Sequence, residues 1–377
     1  MTSTKINTVQ VMRGLAALAV VLLHFRVYLS LVAPQFSQFL SYGYLGVDVF
    51  FVISGFIIYV STSRPATRQA SGFVLRRFCR VVLPAWVAMM LLVLVKPPYL
   101  RDLLYGILFV PLQNSEPPGY GYSFLIVAWT LSYELLFYLA FAGVLLLDLG
   151  RRHRGMLAGA VLVTLVFGVQ SQLGCCTLDA MQAPLADVGL VFFPLQIISL
   201  MGNPMLLEFV VGMFFGWAYL EGWFTRSPRA LKFLLLSLAI GFSTFLALQG
   251  VDGHGLARGG ILAVLLVFAG LCLQVMLVRL GGLGRFNRFV APLVVLGEIS
   301  YSLYLVHPII KAAMALPSFQ SVLDPLGAYG KFVLAIAATL IFSNMFYRLV
   351  ELPTQRLGRQ LSHRFSPVAA PTNLNPE

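Results

Sequence analysis

Ionisable side chains sit inside two long apolar segments near the start of the chain. Arg13 and His24 interrupt VQVMRGLAALAVVLLHFRVYLSLVA, and Asp48 lies near the start of GYLGVDVFFVISGFIIYV. Charge within a membrane span is expensive, so it faces a bundle interior or a wet cavity and marks function. Arg13 and His24 are eleven positions apart. At about 100° per residue this is within ~20° of three full turns, so a helix puts both on one face, ~16 Å apart along its axis. In an antiparallel hairpin the depths of His24 and Asp48 differ by only ~5 Å. A carboxylate beside an imidazole fixes one tautomer and raises its basicity, which general-base chemistry requires. The competing reading is a structural pair that locks two helices. The polar stripe as a whole points to a reaction or transport path through a membrane.

Further along, SGFVLRRFCRVVLPAW brings Arg76, Arg77 and Arg80 to the start of a span. Arg77 and Arg80, three apart, share a helix face, and arginine forks bind phosphate bidentately. Ordinary anchoring by positive charge is the alternative. WTLSYELLFY carries Glu134 near mid-membrane, where a carboxylate is paired, protonated or pinning helices. Glu208 is a weaker case of the same kind. In VVLGEISYSLYLVHPII, Ser300, Tyr304 and His307 follow one helical face. Glu298 and His307, nine apart, point in opposite directions on an ideal helix. His307, just before Pro308, is expected near the outer surface, as an interfacial polar residue or a functional one. Arg348 and Glu351 have the spacing of an i, i+3 pair.

The elements that position these groups follow from composition. The 377 residues are 59% hydrophobic and 11% charged, with mean hydropathy +0.86, whereas soluble domains carry about 25% charged residues. Windows of about 20 apolar residues predict ten spans: 9–31, 44–61, 81–97, 123–148, 156–173, 203–221, 232–250, 258–279, 290–312 and 329–350. The stretches 102–114 and 186–201 read as re-entrant or interfacial. The first segment is too long for a cleaved signal peptide and lacks a small-residue cleavage site, so it is expected to be the first span. With the N-terminus cytoplasmic, only Arg26, Lys96, Arg101, Arg258, Lys311 and Lys331 fall on the outer side. The other 20 of the 26 basic residues are cytoplasmic, as the positive-inside rule expects. The fold class expected is therefore an all-α polytopic membrane protein of about ten transmembrane helices with both termini cytoplasmic. Residues 1–353 form one transmembrane domain. Residues 354–377 form a short basic tail, and its end (SPVAAPTNLNPE) has a disordered composition.

Net charge of +12 and a pI near 9.8 are explained by topology and anionic lipid rather than by nucleic acid. The four cysteines and five histidines show no metal-ligand spacing. No phosphate-binding loop, dinucleotide fingerprint or internal repeat is visible, and nothing encodes an oligomeric state.

Taken in order, RGLAALAVVLLHF, GYLGVDVFFVISGFIIY, RRFCRVVLPAW, WTLSYELLFY, ISYSLYLVHP and YRLVELP resemble the acyltransferase-3 family of integral membrane acyltransferases. The match covers roughly residues 9–353. The resemblance implies ten transmembrane helices in a bacterial inner membrane. It implies transfer of an acyl group, usually acetyl, from cytoplasmic acyl-CoA to a hydroxyl on a carbohydrate or similar acceptor. It assigns Arg13 and His24 to the family's paired first-helix residues, with His24 catalytic. It also carries over Asp48, the donor-associated Arg77 and Arg80, the mid-helix Glu134, and His307. The chain resembles the form without an added extracytoplasmic hydrolase-like domain.

Acyl transfer to an alcohol needs a base, a donor clamp and stabilisation of a developing oxyanion. His24 is the expected base or transient acyl carrier, with Asp48 orienting it. Arg76, Arg77 and Arg80 suit the phosphates of acetyl-CoA, and Arg13 suits the pantetheine arm or thioester. Glu134, His307, Glu298 and Tyr304 are expected as substrate-contacting or structural polar groups. The expected partners are a carbohydrate acceptor and membrane lipid, with no metal. The rival class is a proton-coupled transporter or flippase, which also buries His, Arg and acidic residues.

Overall fold

A computed structural model describes residues 6–63, 69–147, 149–187, 194–226, 230–247 and 253–364. Lys5, Arg64, Arg68 and Arg229 of the basic loops, residues 188–193 of the second short apolar stretch, and the tail end 366–377 lie outside them. The described residues are helical and contain no strand. Backbone polar groups in lipid must be satisfied within the segment, and helices do this.

The main helices are α1 (Asn7–Phe25), α2 (Leu45–Ser61), α3 (Ala70–Arg77), α4 (Leu83–Val95), α5 (Trp129–Leu145), α6 (Arg151–Gln172), α7 (Leu206–Leu220), α8 (Ala230–Ala247), α9 (Gly259–Arg279), α10 (Ala291–Glu298), α11 (Ser300–Met314), α12 (Gly327–Phe346) and α13 (Leu352–Arg364). Two π-helical turns, Phe78–Val82 and Tyr347–Glu351, join α3 to α4 and α12 to α13. Wide turns of this kind are rare and recur at functional sites.

Among the described residues, seven helical segments are long and apolar enough to cross a membrane, or up to nine if each of two bent pairs is one span. The chain is therefore a multi-pass membrane protein. The shorter apolar helix Leu231–Phe245 falls within the expected seventh span. The expected ninth span, 290–312, is not one straight helix: α10 and α11 meet at a 68° bend. The expected sixth span is preceded by Leu195–Met201, bent 41° from α7. Leu100–Ile107 is too short to span.

α2 is the packing centre, against α1, α7 and α9. Apolar attraction between helices vanishes in lipid, so close backbone approach through small residues takes over. A Cβ on Gly55 would lie 2.1 Å from the Phe209 carbonyl oxygen, and one on Gly212 would lie 2.0 Å from that of Val52. Against α1, a Cβ on Gly43 would lie 2.1 Å from Ala19 O and one on Gly46 2.4 Å from Ala16 O. These contacts fix the rotation of α2 and so decide which of its polar residues face which neighbour.

Overpacking a tight contact costs about 1–3 kcal/mol, and the α2–α7 seam leaves no slack. Gly212→Leu is expected to lower the melting temperature in detergent markedly. Gly143→Leu, with nothing within 4 Å of its Cβ position, is expected to be neutral. Equal melting of the two variants would refute the seam as the packing centre.

Candidate active site

A narrow cavity runs beside α2. Its lining includes Val47, Phe50, Ser54, Ile57 and Ile58, so it follows that helix for about 16 Å. Five groups of opposite charge or strong polarity project into it: Arg13, Arg77, Arg80, Glu134 and Tyr138. Each comes from a break in an otherwise apolar helix.

Arg13 Nη2 donates to Ser300 Oγ at 3.0 Å. Ser300 is the first residue after the α10–α11 bend, so the bend delivers this hydroxyl to the cavity. Glu134 Oε1 accepts from Ser54 Oγ at 3.3 Å and from the Tyr138 hydroxyl. The Arg77 guanidinium stacks over Phe73 and Tyr138, 5.6 and 5.5 Å from the ring centroids. It also donates to Ser61 Oγ at 3.3 Å. Arg80 interacts electrostatically with Arg13 and Glu351 and makes no hydrogen bond to a described residue.

A second recess opens at the C-terminal end of α2. Ser61, Thr62, Phe73, Arg76, Arg77, Arg80, Gln355 and Arg359 line it. Arg77 and Arg80 line both spaces. The recess thus holds four guanidinium groups, and Arg359 on α13 is one that sequence reasoning did not single out. Such a cluster favours a polyanion, since arginine forks match phosphate oxygens.

His24 and His307 meet on the other flank, with ring centroids 4.8 Å apart and planes at 53°. His24 Nδ1 lies 2.8 Å from Val20 O, and His307 Nδ1 lies 3.1 Å from Leu303 O. A carbonyl only accepts, so each Nδ1 carries a proton and each neutral ring presents Nε2 as a lone pair. Tyr304 lines the cavity, sits 6.0 Å from the His307 ring, and bonds Thr130 Oγ1 at 3.0 Å. His307 is fully buried rather than at the outer surface, because α11 continues past Pro308 to Met314.

The expected pairing of His24 with Asp48 does not form. Asp48 is fully buried and accepts from the Gly255 N–H at 3.1 Å, and its other oxygen lies 2.8 Å from His254 Nδ1. The reason is rotational. Gly46 faces α1, and two residues at about 100° each turn Asp48 roughly 200° away from it. Glu208 is also fully buried beside Asp48, with neither oxygen on a regular donor.

Other expectations are also redrawn. Glu298 ends α10, half-buried and outside the cavity lining. Arg348 donates to Asn344 Oδ1 at 3.3 Å rather than pairing with Glu351. Glu351 accepts from Ser302 Oγ at 2.5 Å and from Gln355 Nε2 at 2.9 Å. The π-turn shifts their relative direction, so the ideal i, i+3 geometry is lost. No group of three or more His, Cys, Asp or Glu among the described residues is placed to hold a metal ion.

Known proteins give a consistent answer. A family model described as an acyltransferase domain matches residues 6–348. The exopolysaccharide production protein ExoZ of Rhizobium meliloti (strain 1021) is 29% identical over 341 residues, covering 87% of this chain and 94% of that protein. No solved structure matches. With nearly its whole length matched and Arg13, Arg77, Arg80 and Glu134 lining one cavity, the chain belongs to the acyltransferase-3 family and is a multi-pass membrane acyltransferase.

Proposed function

We propose that the protein transfers an acyl group, most simply acetyl, from cytoplasmic acyl-CoA to a hydroxyl of a carbohydrate acceptor at the opposite end of the bundle. One observation carries this reading: a four-arginine recess joins, through Arg77 and Arg80, a cavity that extends toward the opposite, histidine-bearing end of the bundle. The name of the Rhizobium relative supports a polysaccharide as acceptor. In this reading the chain has ten spans, with bent pairs counted singly and α8 included. Both termini and the arginine recess are cytoplasmic, and the membrane is a bacterial inner membrane.

Acyl-CoA supplies an anionic, phosphate-bearing handle and an activated thioester carbonyl. Arg76, Arg77, Arg80 and Arg359 hold the phosphates. Arg13, fixed by Ser300, stands between the recess and His24 and holds the pantetheine arm on its way inward. Ser54 and Tyr138 orient Glu134, which keeps the cavity from being purely cationic. His24 Nε2 takes the proton of the attacking hydroxyl as the new C–O bond forms, and returns it to the departing thiolate sulfur. The Val20 carbonyl, not Asp48, sets the tautomer this needs. His307 backs the ring of His24 and closes that flank to water.

Removing a general base costs about 10²- to 10⁴-fold in rate. Membranes carrying His24→Ala, given radiolabelled acetyl-CoA and a crude exopolysaccharide extract, are expected to label the glycan at least 100-fold more slowly than wild type. Equal labelling would sink His24 as the base.

Each lost charge-assisted hydrogen bond costs about 1.5–3 kcal/mol, or roughly ten- to a hundredfold in affinity. Arg80→Ala is expected to weaken CoA binding to the purified protein by that amount, and Arg80→Lys to restore it only in part. Unchanged CoA affinity in both variants would remove the arginine recess from the donor site.

A further inference from the structure

His254 has a built environment that the reaction as described leaves unused. It lies in the loop before α9 and is 13% exposed. Its Nδ1 is held by the fully buried Asp48 at 2.8 Å. Tyr44 and Trp129 flank the ring edge-on, each with centroids 5.5 Å away. Gly253 and Gly255, with φ of +133° and +95°, set the backbone on either side in a conformation that side-chain-bearing residues rarely adopt. The loop is then tied down by Arg258 Nε on Asp179 Oδ1 at 2.7 Å and by the Gly255 N–H on Asp48.

The carboxylate fixes the proton on Nδ1, so Nε2 is a directed lone pair. No described residue bonds it, and unlike His307 Nε2 it is not a sealed, partnerless atom. Fastening the loop needs only Nδ1, and the Gly255 N–H already fastens it. What remains unexplained is the oriented, accessible Nε2.

Its position relative to the cavity is set by two helices. Val47 lines the cavity and the next residue, Asp48, holds His254. Thr130 lines the cavity and the preceding residue, Trp129, touches His254. His254 is therefore held by residues that directly adjoin the cavity lining in sequence on both α2 and α5, while lying outside the lining itself. Along α2 it is about 20 Å from Ser61 in the arginine recess.

We infer that His254 binds the acceptor: its Nε2 accepts a hydrogen bond from a carbohydrate hydroxyl other than the one acylated, with Asp48 as its positioning residue. The site takes a neutral polyol donor rather than an anion, because the two buried carboxyls of Asp48 and Glu208 stand behind it. This inference rests on the acceptor being a carbohydrate, as proposed above.

The decisive variant is His254→Asn. An asparagine amide can still donate to Asp48 in place of Nδ1, so a mere fastening role survives it, while Nε2 is lost. Two readings are taken on purified full-length protein in detergent. One is the melting temperature with and without a crude exopolysaccharide extract; the other is transfer from radiolabelled acetyl-CoA at varied extract concentration. The expected result is that the extract raises the melting temperature of wild type but not of His254→Asn. The variant's apparent KM for extract is also expected to rise at least tenfold, with KM for acetyl-CoA unchanged. If His254→Asn matches wild type in both readings, or the extract shifts neither protein, the acceptor role is overturned. If the extract shifts only wild type but no label is transferred by either, the binding role stands and acetyl transfer is what fails.

Discussion

Close glycine contacts between helix backbones govern this molecule. Lipid offers no hydrophobic gain for bringing two apolar helices together, so association depends on fit. Gly55 and Gly212 let α2 and α7 interlock, and Gly43 and Gly46 do the same against α1. Gly14 and Gly297 repeat the device between α1 and α10, where a Cβ on Gly297 would lie 2.1 Å from Gln10 O. Because α2 is apolar nearly all round, hydrophobicity alone does not choose its rotation. The glycines choose it, and every polar residue on α2 inherits its direction from them: Asp48 toward α9, Ser54 toward Glu134, and Ser61 toward Arg77.

The second constraint is electrostatic. A charge inside the bundle must meet a partner, a hydrogen-bond donor or water. Arg13 has Ser300, Glu134 has Ser54 and Tyr138, and Arg77 has two aromatic faces and Ser61. These partners come from α2, α3, α5 and α11, so the polar interior is itself a set of ties between helices that lipid-facing surfaces do not provide. The lining of the recess carries four guanidinium groups and no carboxylate among the described residues, and an anionic ligand would offset that excess.

Intramembrane charge made much of the site legible in the sequence. Arg13, Arg77, Arg80, Glu134 and Tyr304 stand out because apolar surroundings make each exceptional, and the structure gathers them around one cavity. Partnership was less legible. Matching the depths of His24 and Asp48 says nothing about rotation, and the glycine spacing at 43 and 46 was the signal to read. The α10–α11 bend was hidden because hydropathy runs unbroken through it. His254 was passed over because it is in a loop and its partner Asp48 is 206 positions away; the glycines on either side of it were the local sign.

Set side by side, the two histidine arrangements differ in a way that suits the two roles proposed for them. His24 takes its tautomer from a carbonyl on its own helix, which adds no charge, and it leans on a second neutral imidazole. His254 takes its tautomer from a buried carboxylate that also anchors a loop. The first arrangement leaves its ring free to gain a proton and lose it again without a fixed negative charge trapping it. The second favours a ring held rigidly in one orientation, which suits recognition more than turnover. In the proposed mechanism the Val20 carbonyl alone sets the tautomer of His24, so no carboxylate is spent on that ring. The rotation of α2 that turns Asp48 to His254 rather than to His24 thus leaves one imidazole without a carboxylate and fixes the other, and it is that difference which the two proposals use.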